Sequence, residues 1–168
     1  MPWNISRPIV VPFDFSDHAM VAVRKAIELT NDAHLIHCMH VLPFITPTEP
    51  GVVWGTVDDE ERLKHALEGM HQQLPANEFG KLHAEVRFGD PGTVVADRAE
   101  ELSAELIVIG SHGRSGLARL MLGSVAERVT RLARCPVLVV KLDPHPVKNV
   151  EPARNVDTVS QINVLPAT

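Results

Sequence analysis

Leu106-Ile107-Val108-Ile109-Gly110-Ser111-His112-Gly113-Arg114-Ser115-Gly116 is an apolar run that passes straight into a glycine-rich turn, and a helical pattern opens soon after at Gly123-Ser124-Val125. Four consecutive apolar residues read as a strand buried on both faces. Glycines after such a strand let backbone N–H groups converge on an anion, because they permit positive φ and carry no Cβ to hold a phosphate away. The start of the following helix adds unpaired N–H groups and the positive end of its dipole. The stretch is therefore a candidate nucleotide-phosphate site at the end of a parallel strand.

Similar signals recur along the chain. Residues 8–13 form a nearly continuous apolar first strand, and Asp14, Ser16 and Asp17 are N-cap candidates for a helix to about Leu29. A second strand is expected over 34–42, then a long loop over 43–57 rich in proline and glycine. Asp58-Asp59-Glu60-Glu61 places acid where a helix dipole favours it, opening a helix to about Gln73. In the third strand, 83–88, Ala84, Val86 and Phe88 alternate with polar residues. Pro91 suits the first turn of a helix reaching about Ser103, and 106–109, 124–133 and 136–140 complete the pattern as strand, helix and strand.

Five strands alternating with four helices predict a single doubly wound α/β domain: a five-stranded parallel sheet with helices on both faces. Ligands in such folds bind beyond the carboxyl ends of the strands, where strand order reverses. With the order 3-2-1-4-5, Asp14 and Gly110 end the two strands flanking the reversal. The expected domain is 1–142. Pro144, Pro146 and Pro152 then mark a linker, so 143–168 reads as an appendage able to dock on the sheet edge or on a dimer partner.

With 168 residues, 45% hydrophobic and 22% charged, the chain suits one soluble globular domain. Its net charge of −5 provides no general field for nucleic acid or an anionic membrane. No apolar run approaches the roughly 20 residues of a membrane span. The first residues have neither the charge nor the apolar core of a secretory signal. Cys38 and Cys135 lie in or beside apolar runs without a close-spaced motif, which points to reduced thiols and a cytoplasmic setting.

The common nucleotide and hydrolase signatures fail. No lysine accompanies Gly123-Ser124 as a Walker A loop requires, no GxG triplet exists, and Gly113-Arg114-Ser115-Gly116 is one residue short of a nucleophile elbow. What the chain does carry is Gly-x2-Gly-x9-Gly-Ser, formed by Gly110, Gly113, Gly123 and Ser124. Together with Pro12-x-Asp14-x-Ser16, His40-Val41 and Arg134-Cys135-Pro136-Val137-Leu138-Val139-Val140, it resembles the ATP-binding branch of the universal stress protein family, over about residues 7–141.

The resemblance implies the adenine nucleotide alpha hydrolase-like fold with strand order 3-2-1-4-5. It implies ATP, with adenine and ribose near Asp14 and the backbone of Pro12 and Val41. The phosphates would lie against Gly113, Gly123, Ser124 and Val125, with Gly110 closing on the ribose. It also implies homodimers built by pairing the last strands. Arg114, carried by the loop, could offset phosphate charge. Asp14 could hold Mg²⁺ through water, with the ion's remaining ligands coming from the nucleotide and solvent.

Plainer readings compete at several positions. Ser124-x-x-Glu127 has the form of a capping box, and Asp14 could simply cap the first helix. Arg128, Arg131 and Arg134 at spacing three suit a solvated helix face. His34 and His40, on one predicted strand, would share a face about 20 Å apart, with His37 on the other, so no shared metal site is expected. His112 has no neighbouring carboxylate in sequence to orient it as a base. The functional expectation is an ATP-binding, dimeric, nucleotide-dependent stress-response module with an unidentified downstream protein partner and no rapid turnover. The alternatives are a slow ATPase or nucleotide-transferring enzyme, and a nucleotide-free interaction module.

Overall fold

The computed structural model describes residues 5–30, 32–45, 58–113 and 122–142. Strands β1 (Ile9–Pro12), β2 (Ile36–Leu42), β3 (His83–Phe88), β4 (Leu106–Gly110) and β5 (Val137–Val140) form one sheet of order β3-β2-β1-β4-β5. Every neighbouring pair is parallel. The helices are α1 (Asp17–Leu29), α2 (Asp59–Gln73), the short α3 (Ala76–Phe79), α4 (Pro91–Glu101) and α5 (Ser124–Leu132).

The sheet is covered on both sides, which is why its central strands lack polar alternation. Ile9, Val11, Ile36, Cys38, Leu106 and Val108 pack with Ala22, Val23 and Ala26 of α1 and Met70 of α2. Their neighbours Val10, Met39, Ile107 and Ile109 point the other way, toward Val95 and Ala99 of α4 and Ala126 and Val129 of α5. Cys38 belongs to the first cluster and Cys135 packs against the second, so the sheet separates the two free thiols.

Helix starts follow side-chain chemistry. Ser16 caps α1 by accepting from the Ala19 N–H, so of the three candidates neither Asp14 nor Asp17 is the cap. Asp58 caps α2 through the Glu60 N–H, with Asp59, Glu60 and Glu61 in the first turn. Asp90 caps α4, with Pro91 entering the first turn.

The edge strand β3 divides its faces. Ala84 and Val86 pack inward, whereas Glu85 and Arg87 pair with α4. Arg98 Nε lies 2.8 Å from Glu85, and Glu101 accepts from Arg87 and Arg98 at 3.0 Å each. Charged side chains on an edge strand discourage pairing with a further strand.

One expectation fails at the start of β2. The strand begins at Ile36, and Ala33–Leu35 is a 3₁₀ turn. Strand alternation therefore does not reach His34. Its ring stands 6.2 Å from that of His83, which in turn stacks on His37 at 4.5 Å. His34 and His37 thus approach the same third imidazole. Among the described residues no group of three His, Cys, Asp or Glu side chains is arranged to hold a metal ion. The loop over 46–57 with Trp54, the arginines Arg114 and Arg119, and the 143–168 appendage lie outside the described residues.

Burial first, and then the adjacent His83, hold the His37 pKa below its ordinary value; Glu85 acts in the opposite sense and Arg98 in the same. A histidine with a depressed folded pKa contributes stability that is present above the unfolded value, about 6.5, and lost as pH falls through the folded value. Melting curves between about pH 7.5 and about pH 5 are expected to show a larger acid-induced drop for the native chain than for His37→Asn. Equal drops would remove His37 as a source of acid sensitivity.

Candidate functional site

The two central strands part company at the carboxyl end of the sheet. β1 pairs with β2 over four residues, ending at Pro12↔Met39. It pairs with β4 only at Ile9↔Leu106 and Val10↔Ile107. Pro12 has no N–H to donate, and the Phe13 N–H continues onto Met39 O at 2.8 Å. β4 stays with β5 as far as Gly110↔Val140, and the Ser111 N–H extends that pairing onto Val140 O at 2.7 Å.

A cavity of about 330 Å³ occupies the resulting crevice, at the lower end of small-molecule site volumes. Pro12, Asp14, Val41, Gly110, Gly113, Gly123, Ser124 and Val125 all line it. Of the site residues expected from sequence, Arg114 alone lies outside the described residues. Residues distant in sequence are thus brought to one place by four strand or helix ends.

The cavity has two kinds of wall. Met39, Val41, Pro91, Val95, Ile109 and Val125 make an apolar slot, while Asp14, His112, Gly113, Gly123 and Ser124 lie on its polar side. Met39, Pro91, Val95 and Ile109 were not expected at the site from sequence. As apolar residues of a strand or helix they look like any other core position. The signal that could have found Pro91 is its place directly after the end of β3, where ligand loops gather in this topology.

Each motif glycine meets a different neighbour. A Cβ at Gly110 would stand 2.8 Å from His18 Cβ and 2.9 Å from its backbone carbonyl, so this glycine admits α1 close to the end of β4. At Gly113 a Cβ would come within 2.6 Å of Asp14 Oδ2. At Gly123 it would meet Ser111 O at 3.2 Å and His112 Cα at 3.3 Å. A side chain at 123 would therefore press first on the β4 loop and separate it from α5.

The capping-box reading of Ser124 is corrected. Gly123 is the N-cap of α5, extended at φ −61° and ψ 148°, and it has no cap side chain. Its own N–H is bonded to Ser111 O at 2.8 Å, which ties the helix entrance to the end of β4. Ser124 is consequently the first helical residue. Among the four longer helices, α5 alone starts without a side-chain cap, and its first residues line the cavity.

Asp14 also differs from its plainer reading. Its Oδ1 accepts from both the backbone N–H and the hydroxyl of Ser16, a turn closed by an aspartate two residues upstream. Phe15 between them has φ +65°, in the left-handed region. That conformation costs about 1–2 kcal/mol for a residue with a Cβ. The Phe15 ring is held edge-on by Phe13 at 5.2 Å and by His40 at 4.8 Å.

His40 Nδ1 lies 2.7 Å from Phe13 O. A carbonyl oxygen only accepts, so Nδ1 donates to it. Ser111 is buried, and its hydroxyl lies 3.1 Å from His112 Nδ1.

Gly110→Ala is expected to lower stability by about 1–3 kcal/mol, the usual cost of overpacking, as read by denaturant unfolding. Gly113→Ala should leave stability closer to native and displace the Asp14 carboxylate, visible as shifts of the Asp14 and Ser16 amide resonances. Unshifted resonances would show that the Gly113–Asp14 contact does not constrain the turn.

Residues 6–141 match the Universal stress protein family. Universal stress protein MJ0531 from Methanocaldococcus jannaschii is 37% identical over 145 residues, covering 82% of this chain and 84% of that protein. The solved structure of universal stress protein UspA from Lactobacillus plantarum superposes with a TM-score of 0.61 at 25% identity, covering 83% of this chain and 99% of that one. A universal stress protein solved in complex with cAMP superposes with a TM-score of 0.54 at 24% identity, over 82% of this chain and 98% of that one, and shares the fold. With a sheet ordered 3-2-1-4-5 and a match running from before β1 to the residue after β5, this chain belongs to the universal stress protein family.

Proposed function

We propose that this chain binds ATP in the crevice between β1 and β4 and acts as a nucleotide-dependent, homodimeric stress-response module in the cytoplasm. The observation that carries the reading is the α5 entrance: a helix start without a side-chain cap opens on a cavity whose other wall is apolar. Helix N–H groups and the dipole suit phosphate oxygens, and the apolar slot suits a base. In this reading Asp14 takes ribose or adenine donors, beside the backbone of Pro12 and Val41. Gly113, Gly123, Ser124 and Val125 border the phosphates, Gly110 lies toward the ribose, and Arg114 offsets their charge.

A universal stress protein of the same fold has been solved in complex with cAMP, an adenine nucleotide. Mg²⁺ would arrive on the nucleotide, with Asp14 reaching it through water. The homodimer reading is supported by β5, which forms one edge of the sheet with Val137–Val140 only partly covered. No helix among the described residues is long and apolar enough to cross a membrane.

Two measurements test the reading. Denaturing the purified protein and analysing the supernatant by mass spectrometry should release ATP at close to one per chain. Released ADP or AMP would instead favour hydrolysis and direct attention to a metal-dependent ATPase rate. A protein that is empty and fails to bind added ATP would be an interaction module without nucleotide. In calorimetry Asp14→Ala should weaken ATP by about 1.5–3 kcal/mol, the contribution of a hydrogen bond to a charged group. Unchanged affinity would leave Asp14 with its turn-closing role only.

A further inference from the structure

Ser124 and Val125 line a second cavity as well as the crevice. This one, about 280 Å³, lies between the start of α4 and the outer face of α5, where Asp90, Gly92, Glu127, Arg128 and Arg131 complete its lining. Ser124, Arg128 and Arg131 follow one another at helical spacing on a single face. Two guanidinium groups therefore continue the line of the proposed phosphate site, over roughly 10 Å of helix axis.

Arg128 is held in place. Its Nε is 3.1 Å from Asp90 Oδ1, and its aliphatic stem lies over Gly92, where a Cβ would come within 2.7 Å of Arg128 Cγ. Asp90 is itself fixed, because it accepts from the Thr93 N–H at 3.0 Å and the Thr93 hydroxyl at 2.9 Å. Arg134 departs from the stripe to pair with Glu100 at 2.6 Å. Arg131 forms no ion pair among the described residues. Asp90 and Glu127 offset the two arginines in formal charge, so the cleft is no general sink for anions. What it offers is geometry: a guanidinium engaged at Nε keeps its terminal nitrogens for a second acceptor, and that planar fork matches the oxygens of a phosphate.

We propose that the Arg128–Arg131 cleft is an anion subsite continuous with the nucleotide cavity, taking a phosphate group beyond those of a nucleoside triphosphate. The inference rests on the nucleotide reading of the neighbouring crevice. The phosphate belongs either to a longer polyphosphate chain on the bound adenine nucleotide or to a separate pyrophosphate-type anion.

Calorimetry on the full chain with ATP, adenosine 5′-tetraphosphate and pyrophosphate distinguishes these sources. The tetraphosphate is expected to bind about tenfold more tightly than ATP, as one added charge-assisted contact would give. Arg128→Gln/Arg131→Gln should remove that advantage and leave ATP affinity within about twofold of native. Glu127→Gln should enlarge the advantage. Pyrophosphate binding to the ATP-saturated protein, lost in the double variant, would identify the separate anion as the occupant. Should the double variant melt early, Arg131→Gln alone gives the same readout with a smaller loss.

Equal affinity for ATP and the tetraphosphate, with no pyrophosphate binding, overturns the subsite and leaves the nucleotide reading standing. An advantage that survives in the double variant overturns it as well. Arginine-dependent pyrophosphate binding by a chain that ignores ATP would keep the subsite and overturn the nucleotide reading. Failure of all three ligands overturns both.

Discussion

The divergence of β1 from β4 after Val10↔Ile107 is the constraint on which the rest of the molecule depends. Parallel strands hold together through evenly spaced backbone hydrogen bonds, so two neighbours separate only where those bonds go elsewhere. Here Pro12 has none to give, the Phe13 N–H goes to Met39, and β4 spends its last pairing, and the Ser111 N–H, on β5. Each strand keeps its pairing with its outer neighbour. The seam between them opens, and the cavity forms there. At the opposite end of the same pair Ile9 and Leu106 stay in register inside the core, so the opening is confined to one edge.

Once the seam is open, close approaches shape it. The missing Cβ at Gly110 lets α1 lie against the end of β4, and the missing Cβ at Gly113 lets the Asp14 carboxylate lie against the loop. Gly123 brings the start of α5 against Ser111 and His112. The left-handed Phe15 is the conformational cost of presenting Asp14 between strand and helix. Strain of this kind persists only where surrounding contacts over-determine it. The Ser16 hydrogen bonds on one side and the Phe13 and His40 rings on the other supply those contacts.

Charge is distributed to complement this architecture. Acid caps and opens α2, and an Arg–Glu network joins Glu85 and Arg87 of β3 to Arg98 and Glu101 of α4. Individually such exposed pairs contribute little to stability. The two sheet edges differ in composition: charged residues alternate along β3, whereas β5 is apolar throughout Val137–Val140, and both are only partly buried. The positive end of α5 is the exception to side-chain capping among the longer helices, and it faces the cavity.

Much of this was legible in the chain itself. Apolar runs covered on both faces, separated by helix periods with Ser, Asp and Pro at their starts, are local properties. They therefore identified the five strands, the four longer helices and the doubly wound class without reference to distant residues. The glycine spacing from Gly110 to Ser124 and the Asp14 position pointed to residues that line the crevice cavity, because a glycine-rich turn after a strand is a local sequence feature. Sequence left the α1 cap open among Asp14, Ser16 and Asp17, and Ser16 holds it. Local reasoning failed at two places: Gly123 displaced Ser124 as the α5 cap, its N–H bonded to Ser111, and β2 began two residues late, after a 3₁₀ turn capped by Asp32. The apolar slot of Met39, Pro91, Val95 and Ile109 was equally hidden, because a residue bordering a cavity and one filling a core have the same sequence signature. Sequence by itself determined which elements form and which residues are candidates for the crevice. Tertiary packing alone decided where β1 and β4 separate, and hence which side chains face one another across the opening.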